Sequence, residues 1–257
     1  MKNKMKLAGL LGVLLLAAAG SAKANETIID LTGGPPAMGT ANGAVLFAAD
    51  PRPTGTGFIN PFLREQNNGS ETGVNTSITP PPYDDKPGPF TRDQLVSDLS
   101  VISYNSANYY EFALDANQSG NEPISLITFK IFVTTGAPFT SASDLMNEVN
   151  TGTPSFDLNN GTPGSVRVDI TSNTGSGSGD MFILVPVGDI GTSGNLYLEA
   201  GFGADAAGGG FPSNDGFEEW SAITGNRPVP DGGSTMAMLG AAIVGMGLLR
   251  KVTFSKS

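Results

Sequence analysis

The strongest constraint on this chain is an alternation of apolar and polar residues with a period of two, in short runs that glycine, proline, asparagine or aspartate soon cut off. Alternation at that period sends successive side chains to opposite faces, so each run reads as a β-strand with one buried face. In residues 109–114, Tyr110, Phe112 and Leu114 point one way, and Tyr109 and Glu111 point the other. Ile127, Phe129, Ile131 and Val133 repeat the pattern against Thr128 and Lys130. Val166, Val168 and Ile170 oppose Arg167 and Asp169, and Leu196, Leu198 and Ala200 oppose Tyr197 and Glu199. Residues 181–187 are apolar on both faces, as a central strand would be, and the glycines of 175–179 predict a flexible hairpin connection from the preceding strand.

Further strands are expected within 27–31, 44–48, 57–63, 95–104 and 217–224, and one helix near 141–149, with Ser141 as cap and Asp144 returning the bond. Roughly ten short strands with frequent turns define the expected fold class, all-β, as a single β-sandwich or jelly-roll-like domain. The 35 Gly and 18 Pro leave little room for long helices. Residues 67–89 and 204–215 read as long surface loops.

Composition limits the chemistry. The chain has no Cys and no His, which excludes thiol nucleophiles, imidazole bases and zinc held by Cys or His. Residues 25–230 hold seven Lys or Arg against 23 Asp or Glu, a balance near −16. Such a surface repels nucleic acid and anionic membrane and favours cations as partners.

Both ends differ from this body. Lys2, Lys4 and Lys6 precede an apolar run over 7–19, and Ala22-Lys23-Ala24 has the small-x-small pattern of a peptidase site, so 1–24 reads as a signal peptide cut after Ala24. At the other end, 227–257, a turn motif over 229–235 precedes an apolar helix over 236–249 and a basic stop at Arg250 and Lys251. Fourteen apolar residues make about 21 Å of helix, short of a ~30 Å hydrocarbon core unless flanking residues extend it. The cations would hold its cytoplasmic end by the positive-inside rule.

This tail resembles the PEP-CTERM sorting signals recognised by exosortases, and within them the VPDSG-CTERM variant. It matches at Val229, Pro230, Asp231 and Gly233, with Gly232 where that variant has Ser. The resemblance implies signal peptidase and an exosortase-type enzyme as processing partners, and transient inner-membrane anchoring through the helix. Release to the cell surface or an extracellular matrix would follow. Blocks at 57–76, 109–120, 175–187 and 214–220 are similar to a group of PEP-CTERM proteins of uncharacterised molecular function, and bring no catalytic residues with them.

Two weaker patterns lie in the body, 25–226. Asp115, Asn117 and Ser119 with Gly120 resemble the opening of a calcium loop, but Leu126 stands where the closing acid belongs, and an Asx-rich turn linking two strands is the preferred reading. Asp205, Asn214, Asp215 and Glu218 form a second acidic group. Trp220, the only Trp, beside Glu219 has the ring and carboxylate that extracellular polysaccharide binding uses, against the alternative of a core Trp. In a strand, Glu218 and Trp220 would share one face, and Phe217 and Glu219 the other. Tyr109 and Tyr197 are further outward-facing candidates for stacking on sugars.

The expectation is therefore an exported, non-catalytic structural or binding protein with no required cofactor, calcium being the one candidate. Its rivals are an extracellular carbohydrate-active enzyme working through Asp or Glu, and a calcium- or glycan-binding module. No nucleic acid partner is expected.

Overall fold

A computed structural model describes residues 27–48, 60–161, 164–171, 179–205 and 209–223. The predicted signal segment, with Ala22 and Ala24, lies outside the described residues, as do Val229 to Gly233, the 236–249 helix, Arg250 and Lys251. Among the described residues no helix is long and apolar enough to cross a membrane.

The chain begins with β1 (Thr27–Asp30), β2 (Met38–Ala41), β3 (Ala44–Ala48), β4 (Pro61–Glu65), β5 (Asn68–Gly69), β6 (Glu71–Val74), β7 (Gln94–Leu95) and β8 (Val101–Tyr104). It continues through β9 (Ala107–Asn117), β10 (Ile124–Thr134), α1 (Ala142–Thr151), β11 (Phe156–Asp157) and β12 (Gly164–Val168). The last elements are β13 (Met181–Pro186), the single turn α2 (Val187–Ile190), β14 (Asn195–Phe202), β15 (Ser213–Asn214) and β16 (Phe217–Ala222).

These strands make two main sheets in a sandwich-like arrangement. One runs β1-β12-β10-β14-β6, and the other β2-β3-β13-β9-β16-β4, with β15 and β5 as a small separate pair. β1 and β12 are parallel, while the pairs at the centre of both sheets are antiparallel. The expected alternation becomes the core: Tyr110, Phe112 and Leu114 meet Val166, Val168, Leu196 and Leu198 in one buried cluster. An aromatic chain runs through it, with Phe112 5.9 Å from Phe129, Phe129 5.1 Å from Trp220 and Trp220 6.3 Å from Phe202. β13 is buried on both faces, with β3 on one side and β9 on the other.

Several expectations change. The alternation in β10 does not run straight through: Ile124 and Leu126 face the core, the register shifts between Leu126 and Thr128, and from there Phe129 and Ile131 face inward. This bulge leaves Ile127 out of the core, because one extra residue reverses the faces. Residues 172–178 lie outside the described residues, and the strands on either side, β12 and β13, belong to different sheets and do not pair as the expected hairpin would require. The expected strand over 95–104 is broken by a 3-10 turn at Val96–Asp98, and the expected loop over 67–89 contains β5 and β6.

The helix forms as expected and lies on the outer face of the first sheet, where Leu145 and Val149 pack against Val74, Phe132 and Tyr197. Its cap is not the expected one, since Ser141 makes no capping bond and its hydroxyl meets that of Ser143 at 2.6 Å. Tyr197 is therefore covered, and its hydroxyl accepts from the Phe139 amide at 2.9 Å. Tyr109 belongs to a separate apolar cluster with Ile102, Phe182 and Leu184, on the face of the second sheet away from the main core.

A buried carboxylate cluster as the candidate functional site

The geometry of the site follows from register at one side of the sandwich. β16 pairs with β4 so that Trp220 stands opposite Leu63 and Glu218 opposite Glu65. Because Trp220 points into the core, Glu218 two residues earlier does too, and Glu65 shares its face. From the other sheet, Glu71 stands opposite Phe202, whose ring packs on Trp220. Glu71 is thereby turned toward the same space. Asp85 arrives from the segment after β6, bridged to Glu65 and accepting the Val74 amide on Oδ1 at 2.7 Å.

All four carboxyl groups are buried, Glu65 and Glu218 with no exposure at all. Burying a charge without a partner is costly, so the supply of hydrogen-bond donors and cations decides their state. That supply is thin. Glu71 Oε2 accepts the Asn67 amide at 2.7 Å, and Glu218 Oε1 accepts from the Gln118 side chain. Both oxygens of Glu65 and Oδ2 of Asp85 find no hydrogen-bond partner, and Oε1 of Glu71 and Oε2 of Glu218 have none beyond the contact between these two side chains. The ion pairs among the described residues are Arg64–Glu219, Lys130–Glu199 and Arg167–Asp205, and none of them reaches the cluster.

The titration behaviour follows. Burial pushes the Glu65 carboxyl well above the usual range, and the nearby Glu71, Asp85 and Glu218 push it further. Burial likewise raises Asp85, to about 8, against the pull of the Val74 amide. Burial raises both Glu71 and Glu218; their mutual contact pushes Glu218 further up, to about 10, and pulls Glu71 back down. Their carboxyl groups hydrogen-bond to each other, which requires a shared proton, since two carboxylates have only acceptors. Gly73 makes room for the cluster: a Cβ there would overlap both the Glu65 side chain and Asp85 Oδ1. As they stand, no three acidic groups among the described residues are gathered tightly enough to hold a metal.

The residues singled out by sequence fare differently. Glu218 and Trp220 share a face as expected, but Trp220 is fully buried against Phe129 and Phe202 and offers no surface for a sugar. Glu219, on the opposite face, is paired with Arg64, whose guanidinium lies over the Phe90 ring at 3.6 Å. Asp115 and Asn117 are part of strand β9 rather than a loop, and the Asn117 amide donates to Asp115 Oδ1 at 3.2 Å. The Ser119 backbone instead links to the Asn214 side chain at 2.7 Å in both directions. Gly120 does take the sharp turn, at φ 78°, and Leu126, where the closing acid would stand, is part of the core. The second acidic group is dispersed, since Asp205 is held by Arg167 at 2.7 Å and Glu218 belongs to the buried cluster.

Glu65, Glu71 and Asp85 escaped the sequence reading. The available signal was the alternation of Leu63 and Glu65 in step with Glu218 and Trp220. A shallow cleft lies elsewhere, between β1, β2 and β12, lined by Thr27, Thr40, Asn42, Asn159 and Ser165 and carrying no charged residue.

Comparison of the chain with protein-family models, with curated proteins and with solved structures finds no match.

Proposed function

We propose that this is an exported protein of the cell surface or extracellular matrix with a non-catalytic structural or binding role. Signal peptidase cuts after Ala24, and an exosortase-type enzyme removes the tail at the 229–233 motif after transient anchoring through the 236–249 helix. The observation that carries this reading is positional. The described strands run from Thr27 to Ala222, between the two segments read as removable, so both cuts would leave every described strand intact.

The test is the intact mass and C-terminal peptide of the protein recovered from its native host. A chain beginning at Asn25 and ending close to Pro230 is expected. Retention of Ser257 would overturn the processing step, leaving a membrane-anchored domain. Turnover of a polysaccharide, abolished by a single carboxylate-to-amide substitution, would overturn the non-catalytic role.

A further inference from the structure

We propose that Glu65, Glu71, Asp85 and Glu218 form a binding site for a hard divalent cation, calcium, which ties β4 and β16 of one sheet to β6 of the other. The site is separate from the Asp115 segment and does not depend on the export reading.

Three observations carry it. First, the cluster is more than a patch of acids: Glu65 is completely buried and neither of its carboxylate oxygens has a partner. Oδ2 of Asp85 is in the same state. Unpartnered buried carboxylate oxygens are rare, because folding strips their water without replacing it. Second, Gly73 leaves the volume that brings Glu65 and Asp85 together, and any side chain there would occupy it. Third, the donors are all oxygen, with no nitrogen or sulfur ligand among them, which selects calcium, magnesium or manganese over zinc or copper.

Calcium is favoured within that class. Magnesium gives up its water reluctantly and demands a near-ideal octahedron, whereas four buried carboxylates offer little water and irregular geometry. Calcium accepts six to eight oxygens in flexible arrangements and takes carboxylates with one or both oxygens.

In the cation-free fold Glu71 and Glu218 are in contact, and the ligand shell is not yet closed. Calcium would draw in Glu65 and Asp85 and close it. The ion would sit where the end strands of the two sheets, β4 and β6, are joined through residues 84–86: the Lys86 amide donates to the Arg64 carbonyl and the Asp84 amide to the Thr72 carbonyl, each at 2.9 Å.

Trp220 provides the probe. It is the only Trp in the chain and lies two residues from Glu218 on the same strand face, about 7 Å along the strand. The full-length chain, stripped with EDTA, is titrated at pH 7.5 with calcium chloride, with magnesium chloride and with terbium. Calcium is expected to raise the melting temperature by several degrees and magnesium by much less, since a ligand of the folded state must stabilise it. Terbium should give emission sensitised through Trp220, saturating at one ion per chain and displaced by calcium.

Glu65→Gln combined with Glu218→Gln keeps the shape and removes two ligands, so it should abolish both signals. No calcium shift in the wild type overturns the proposal, and so does a shift without Trp-sensitised terbium emission, which places the ion elsewhere. A shift that survives in the double variant has the same meaning. Should the double variant not fold, Glu71→Asp, which keeps the charge but shortens the reach, must weaken calcium binding at least tenfold.

Discussion

Asp180 gives the cleanest test of how burial governs charge in this domain. It directly precedes β13, and its amide donates to the Leu114 carbonyl at 2.7 Å. Its Oδ2 accepts the Ala116 amide at 2.9 Å, while Oδ1 is buried without a partner. Burial pushes the carboxyl from 3.8 up to about 8; the Ala116 bond opposes the shift, and Asp115 and Asp169 reinforce it. A carboxyl whose folded value is raised stabilises the fold in its protonated form. That contribution is full below about pH 4, declines as pH rises, and is gone above about pH 8. A shift of about four units corresponds to roughly 6 kcal/mol at most. Relaxation and water entry around a real site reduce this to a few kcal/mol.

Asp180→Asn keeps an oxygen for the Ala116 amide and cannot ionise. Urea denaturation of both proteins in EDTA, at pH 4.5 and pH 8.5, cancels the titration of the other acids at each pH. The variant should match the wild type within about 1 kcal/mol at the lower pH, and exceed it by about 2 to 4 kcal/mol at the higher. A difference that stays constant between the two pH values would refute the claim that Asp180 is held protonated by burial.

Two further substitutions test the packing. Trp220→Ala should cost about 3–5 kcal/mol in urea denaturation, the usual range for deleting a large buried aromatic, and wild-type emission should be blue-shifted; a loss under 1 kcal/mol would mean that the ring is not the core member described here. Gly73→Ala should lower stability by about 1–3 kcal/mol, because its methyl group overlaps Glu65 and Asp85. It should also weaken the calcium response, which a thermal melt with and without calcium reads directly.

How much of this fold was legible depended on whether a segment's structure is set locally. β9, β12 and β14 alternate in sequence because one face of each packs into the same core; the second faces of β9 and β14 are covered too but carry Glu111, Asp115, Tyr197 and Glu199, whereas β13 is apolar on both. β6 was read as loop because Glu-Thr-Gly-Val has little strand preference of its own; pairing with β14 makes it a strand. The bulge at Ile127 was equally hidden, since a register shift depends on the partner strand and leaves no mark in the run that contains it. Trp220 illustrates a third limit. A lone Trp beside two acids has the composition of a sugar site, and only the rings of Phe129 and Phe202 identify it as core.

The cluster was illegible for a related reason. An acid at an alternate strand position is ordinarily assigned to solvent, and in a body with 23 acids that rule is right for most of them. It fails at Glu65 and Glu218 because the register that turns Leu63 and Trp220 into the core turns these two with them. Glu71 follows from its place opposite Phe202. The acids that have a cation, Glu219 with Arg64, Glu199 with Lys130 and Asp205 with Arg167, account for three of the basic residues in the body. The buried four take none. Net charge therefore gives a poor guide to where this domain needs a counter-ion. The relevant quantity is the match between buried carboxylate oxygens and available donors, and among the described residues it fails chiefly where both sheets end, with a lesser mismatch at Asp180 Oδ1.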